Sequence, residues 1–197
     1  NLGTTATAWL VASLGLKFNI AALAMPMIVF GIVLYLQSWR TLKGLGSILA
    51  GLGFFFYGIA LMKEGFLAYQ SDFDFSASNL EGLLGDLFFV MIGILLTVIL
   101  QSSSATIVII LTILALGQIN YVNALALTIG ANVGTTITAI IAAMASNIVG
   151  KRLAIAHFSF KFITGLLAII FLKQLGWLVN EITGLMSISQ TDYPLKL

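Results

Sequence analysis

The chain has 197 residues, of which 60% are hydrophobic and 8% charged, with a mean hydropathy of +1.10 and a formal net charge of +2. A soluble domain carries roughly 25% charged residues, so this chain cannot cover a globule in water, and a soluble enzyme, a nucleic-acid binder and a disordered tail are excluded. Leu87–Gly150 holds no formal charge, room for about three bilayer crossings of roughly 20 residues each, which reads as a multi-spanning membrane protein. With no cysteine there is no disulfide framework, thiolate nucleophile or cysteine metal site.

In chain order, the first feature is NLGTTATA (Asn1–Ala8), which matches NVGTTITA (Asn132–Ala139) at six of eight positions. This reads as a duplicated unit whose first copy lacks its front half. The chain begins with Asn1 and has no signal-peptide pattern, and Thr191–Pro194 looks like a helix start with little after it. It is expected to be a piece of a longer protein, and residues 1–197 alone are expected neither to transport nor to bind a substrate usefully. Asn19–Trp39 is uncharged and long enough to span, with Pro26 a kink, and Arg40 and Lys43 end it. Gly44–Met62 forms the next span, in which Gly46, Ala50, Gly51, Gly53 and Gly58 allow close helix approach. Lys63 to Asp86 reads as an acidic connection carrying Glu64, Asp72, Asp74 and Glu81.

The charge-free stretch is interrupted by polar residues. Leu87–Leu100 and Ala105–Leu116 are apolar arms of 14 and 12 residues around Gln101-Ser102-Ser103-Ser104. Neither arm crosses about 30 Å at 1.5 Å per residue, and four polar residues do not sit in lipid, so a re-entrant hairpin is expected. In the 28 residues from Tyr121 to Ile148, the run from Gly130 to Thr136 suits a helix that unwinds and restarts, with Asn132 or Thr135 as the new cap. Lys151 and Arg152 precede a further span, Leu153–Leu172. Leu175, Leu178, Val179, Ile182, Leu185 and Met186 oppose Asn180, Glu181 and Thr183, the pattern of an amphipathic surface helix.

With the hairpin returning to its starting side, Arg40, Lys43, Lys151 and Arg152 share one side, cytoplasmic by the positive-inside rule. The two NxGTT helices then end on opposite sides, so the repeats are inverted. The expected fold is an all-α integral membrane protein, an inverted-repeat secondary transporter with a re-entrant helical hairpin and broken transmembrane helices. Its parts are residues 1–40, the end of a first repeat, and 41–63, an inter-repeat transmembrane helix. They continue with 64–86, an extracytoplasmic loop, 87–190, the second repeat, and 191–197, the start of another helix.

At these motifs the sequence resembles the type II sodium/phosphate cotransporter family, including its bacterial sodium-dependent phosphate transporters. QSSSAT (Gln101–Thr106) and GANVGTTITA (Gly130–Ala139) look like its second-repeat signature, and Leu45–Met62 is similar to its inter-repeat helix. His157–Lys161 resembles its HxxF element, where asparagine is frequent at the Lys161 position, and NLGTT (Asn1–Thr5) resembles the end of its first-repeat signature. A first-repeat QSSS is not in the chain, which begins after its expected position. The resemblance implies sodium-coupled transport of inorganic phosphate across the plasma membrane, here a bacterial inner membrane. It also implies a multi-pass protein with no cofactor, and with sodium ions as coupling ions. Implied partners are phosphate, sodium, the lipid bilayer and the missing first-repeat hairpin, with a homodimer allowed and no nucleic acid.

The chemistry of the residues fits that implication. Hydroxyls and helix N-terminal amides can hold phosphate without Arg or Lys. This assigns phosphate to Ser102, Ser103, Ser104, Thr135 and Thr136, and through the first copy to Thr4 and Thr5. Sodium wants oxygens, available from Gln101, Ser102, Asn132, Thr135 and Asn1. The sequence leaves open which oxygen serves which ion. His157 reads as a packing or interfacial residue ahead of a proton-coupling one. Lys161, about 15 Å from Lys151 by helical rise, either snorkels or faces a wet cavity. Trp9, Trp39 and Trp177 are candidate interface anchors. The alternatives are a transporter of another oxyanion, a phosphate exporter, a passive anion channel, and an intramembrane serine hydrolase pairing Ser102–Ser104 with His157. The last lacks any GxS-type elbow.

Overall fold

The computed structural model describes residues 2–15, 21–68 and 82–185, all of which form helices or short turns between them. They divide into two compact units, residues 9–68 and residues 2–8 with 82–185. Helix α1 runs Leu2–Leu10 and continues as a π-helical turn over Val11–Gly15. Asn1, the connection 69–81 that holds Asp72, Asp74 and Glu81, and the end from Met186 lie outside the described residues.

In the first unit α2 (Ala21–Tyr35) and α3 (Arg40–Ala68) form an antiparallel hairpin. The expected span Asn19–Trp39 ends four residues early. The Gln37 amide bonds to the Leu34 carbonyl at 3.2 Å, which tightens the last turn, and the chain reverses over Leu36–Trp39. Lys43 Nζ then lies over the Tyr35 ring at 4.9 Å and ties the two ends. Glycines set the helix spacing. A Cβ on Gly31 would collide with the Ala50 backbone, one on Gly46 with Tyr35 and Gly31, and one on Gly53 with Ile28 at 2.8 Å. Gly51 and Gly58 have open space beside them, so only part of the expected small-residue stripe makes the contact. Helix α3 also carries Lys63 and Glu64 past the expected end at Met62. A charge leaving the apolar layer has no reason to unwind the backbone that carries it.

The second unit is built on α4 (Leu83–Leu100), α5 (Ser103–Ala115), α6 (Tyr121–Met144), α7 (Ile148–Ile170) and α8 (Leu172–Leu185). Helices α4 and α5 are the expected hairpin, broken at Gln101-Ser102. The first arm is longer than the sequence suggested, with 18 residues instead of 14. Asp86 lies in its first turn, where a carboxylate is favourable to the helix dipole and does not end the helix. Helix α4 is therefore long and apolar enough to cross a membrane, as are α3, α6 and α7, whereas α5 has 13 residues.

Helices α4 and α6 run parallel. Gly130 meets the Val90 carbonyl, Gly93 meets the Leu127 carbonyl, and further on a Cβ on Gly134 would lie 2.8 Å from Thr97 Cβ. The α4–α5 pair thus brings the chain back to its starting side before α6 sets out again. Helix α5 is buried nearly all round, through Thr106, Ile107, Val108, Ile110, Leu111, Thr112, Ile113 and Leu114. That is the setting in which a break in a helix at membrane depth is tolerated. Helix α7 is the opposite, apolar but buried only at Ala154 and Gly165, so it needs lipid or protein around it. Together these features make the chain an all-α, multi-pass membrane protein.

The expected break in the GANVGTT helix is corrected: α6 is one continuous helix of 24 residues. Gly130 and Gly134 serve the approach of α4, and the hydroxyls that were to cap a restart bond inside the helix instead. Thr135 Oγ1 donates to the Asn132 carbonyl at 2.7 Å, Thr136 Oγ1 to that of Val133 at 2.6 Å, and Thr138 Oγ1 to that of Thr135 at 2.8 Å. The hydroxyls are thereby satisfied within the helix itself, and none is left to cap a new N-terminus. In α8 the inward face is Leu172, Gly176, Val179 and Thr183, while Leu175, Trp177, Leu178 and Ile182 point outward. Val179 and Thr183 share that inward face, where the sequence pattern had set them on opposite sides.

Candidate functional site

The polar run at the hairpin tip is ordered by its own chemistry. Gln101 reverses the chain in the left-handed region, at φ 52°. Ser102 is extended and caps α5, its hydroxyl accepting from the Ala105 amide at 3.2 Å. The Ser103 and Ser104 hydroxyls, both half-buried, take no hydrogen bond from or to other described residues. The last-turn carbonyls of α4 and the first-turn amides of α5 converge on this tip. A helix C-terminus that favours cations and an N-terminus that favours anions are therefore adjacent.

Behind the tip lies a buried chain of hydroxyls. Thr97 Oγ1 of α4 donates to Thr106 Oγ1 of α5 at 3.1 Å, and Thr106 Oγ1 donates to the Ser102 carbonyl at 3.0 Å. Both threonines are fully buried, and Thr97 packs on Gly134 of α6. The QSSSAT and GANVGTT segments therefore meet at one level, Thr97–Thr106–Gly134. Sequence reasoning passed over Thr97, although it is the one polar side chain in the first arm after Asp86.

The expected site residues do not form a single cluster. Ser102–Ser104 and Thr135 are half-buried, whereas Thr136 is sealed, with its hydroxyl given to its own helix. The α4–α6 register puts Gln101 and Ser102 near the level of Thr138, roughly 10 Å along the axis from Asn132. Asn132 has a different neighbour: Lys161 Nζ of α7 donates to its Oδ1 at 3.4 Å. In the first copy Thr4 is half-buried, Thr5 is exposed with a polar interaction of its own, and Asn1 lies outside the described residues. His157 is exposed on α7, and among the described residues no hydrogen bond joins it to the hairpin serines. Trp9, Trp39 and Trp177 are all exposed, Trp39 at 75%. Among the described residues no three His, Asp or Glu side chains gather.

Comparison with known proteins follows the same motifs. The family model described as Na+/Pi-cotransporter matches residues 1–64 and 81–188. The chain is 28% identical over 195 residues to the uncharacterized protein YqeW of Bacillus subtilis, covering 93% of this chain and 58% of that protein. It is 28% identical over 174 residues to the putative inorganic phosphate export protein YjbB of Salmonella typhimurium, covering 85% of this chain and 31% of that one. To the sodium-dependent phosphate transport protein 2B of Mus musculus it is 33% identical over 178 residues, 81% of this chain and 24% of that one. The chain thus spans little more than half the length of the first relative and under a third of the other two. No solved structure matches it. With a duplicated NxGTT motif, a QSSS hairpin packed on GANVGTT, and a family match across most of its length, the chain belongs to the Na+/Pi-cotransporter family.

Proposed function

We propose that the protein of which this chain is part couples sodium to the movement of inorganic phosphate across the cell membrane, and that the α4–α5 tip holds the phosphate. The observation that carries this reading is the state of the three serines. Ser102 spends its hydroxyl capping α5, while Ser103 and Ser104 keep theirs beside the positive end of that helix. A phosphate there gains hydroxyl donors and a favourable dipole with no arginine. Thr135 lies on α6 within about one turn of the level of the tip. Sodium finds oxygens at the facing C-terminus of α4, in the Gln101 side chain, and in Thr135. The NLGTT copy, carrying Thr4 and Thr5, answers GANVGTT in an inverted arrangement, and the matching first hairpin comes from the rest of the polypeptide.

The test is uptake of radiolabelled phosphate into proteoliposomes holding the full-length protein, with and without an inward sodium gradient. Uptake that needs sodium is the expected result, and equal uptake in potassium or choline refutes the coupling. The bacterial relative described as a putative phosphate exporter makes direction worth reading in the same assay. With the gradient reversed, net phosphate movement should reverse as well.

A further inference from the structure

Lys161 is a cation in the middle of the apolar layer. Asn132 lies roughly 17 Å from one end of α6 and 18 Å from the other, and Lys161 is at a matching depth on α7. No charge occurs between Leu87 and Gly150, so none of α5, α6 or the greater part of α4 offers a carboxylate to balance it. Its ammonium donates to Asn132 Oδ1 at 3.4 Å, and it is half-buried on the α6 side of α7. An ammonium has donors only, so the oxygen of the Asn132 amide must be the atom turned to it. The Asn132 Nδ2 points instead to the Thr128 carbonyl at 3.5 Å. The i, i+4, i+7 row Thr128, Asn132, Thr135 is thus a polar stripe on α6, and its middle member meets this fixed positive charge. An intramembrane charge is costly and calls for such a stripe.

We infer that Lys161 is a tethered cation that stands at Asn132 in the place of a bound ion, so that this protein uses one sodium fewer than it would with a neutral residue there. A sodium on the same Asn132 oxygen would sit within about 4–5 Å of the ammonium, and like charges in so apolar a setting exclude one another. The hairpin tip, roughly 10 Å away along α6, is distant enough to keep its own sodium. The fixed charge also adds attraction for phosphate without leaving the membrane with it. This inference rests on the transport reading only for its consequence in flux; the cation position itself stands on the Lys161–Asn132 contact.

The experiment counts sodium. Full-length wild type, Lys161→Gln, Lys161→Asn and Lys161→Arg are purified in detergent, and equilibrium binding of radiosodium is measured in the presence of phosphate. Both neutral variants should bind one more sodium per chain than the wild type, and Lys161→Arg should match the wild type. Adding Asn132→Ala to Lys161→Gln should remove the extra ion. In proteoliposomes the dependence of phosphate uptake on sodium concentration should steepen by one power in the neutral variants. Equal sodium counts in the wild type and in natively eluting neutral variants overturn the inference. A wild type that takes up no phosphate at any sodium concentration refutes the transport reading instead, and leaves the sodium count to judge Lys161.

Discussion

Gly130→Ala is the sharpest perturbation of the seam that holds the hairpin on α6. A methyl group at Gly130 would lie 2.9 Å from the Val90 carbonyl carbon and 3.0 Å from Gly93 Cα, with the Val90 oxygen closer still. All three are backbone atoms, so no side chain can rotate out of the way. Restoring ordinary contact at about 3.5–4.0 Å, with the Val90 oxygen as the nearest atom, requires α4 to retreat by more than about 1 Å. Overpacking of this kind costs about 1–3 kcal/mol. Alanine returns up to about 1 kcal/mol of helix propensity relative to glycine, so a net loss of roughly 1–2 kcal/mol is expected. The retreat shifts the tip relative to α6, so phosphate uptake by the full-length protein in liposomes should fall together with its melting temperature in detergent. Gly93→Ala opens the same seam, where its Cβ would meet the Leu127 carbonyl and lie 3.1 Å from the Ala131 amide nitrogen. Because one retreat accommodates both methyls, the double variant should lose less than the sum of the singles. Gly51→Ala, with open space beside it, should melt at the wild-type temperature or slightly above. A Gly130→Ala protein that melts and transports as the wild type does, or strictly additive losses in the double variant, would refute this account of the seam.

The serines should separate by role. Ser102→Ala removes the cap of α5 and should cost about 0.5–2 kcal/mol in melting experiments. Ser103→Ala and Ser104→Ala should melt as the wild type but lose phosphate affinity by about 1–3 kcal/mol each in a binding titration, and unchanged affinity in both would remove them from the site. Thr106→Val leaves the buried Thr97 hydroxyl without its acceptor and should cost about 1–3 kcal/mol; the Thr97→Val/Thr106→Val pair should lose less than the two singles combined, which a double-mutant cycle of melting curves checks. Gln101→Gly relieves a left-handed non-glycine residue, a gain of about 1–2 kcal/mol, against about 0.4–1 kcal/mol of added unfolded-chain entropy, so the melting temperature should hold or rise slightly. If the Gln101 oxygen also serves sodium, the same variant should need more sodium for half-maximal uptake, and an unchanged sodium curve would confine Gln101 to shaping the turn.

The membrane class of this chain, and the break between Leu100 and Ser103, follow from sequence alone. A run of glutamine and serines inside an apolar stretch cannot stay in lipid as an ordinary helix, whatever surrounds it. The cap at Ser102 was not read from the sequence, although a serine ahead of an apolar run is a usual helix cap, and it emerged only with the Ala105 amide on its hydroxyl. GANVGTT was different. Glycines flanking an asparagine allow a helix to unwind, but they also allow another backbone to press against it, and the local sequence is the same in both cases. What decided for the unbroken helix is α4, whose backbone lies on Gly130 and Gly134 and which reaches them only through the parallel register of the folded unit. The first arm was likewise read short, because Asp86 looked like a boundary until the helix start at Leu83 placed it at the favourable end of a dipole. Lys161 shows the limit most plainly. Its position in an apolar helix marked it as unusual, yet its partner lies 29 residues away on α6. Only the pairing of α6 with α7 brings that nitrogen to the Asn132 oxygen, because a hydrogen bond between two helices depends on their relative rotation and offset, which no local pattern encodes.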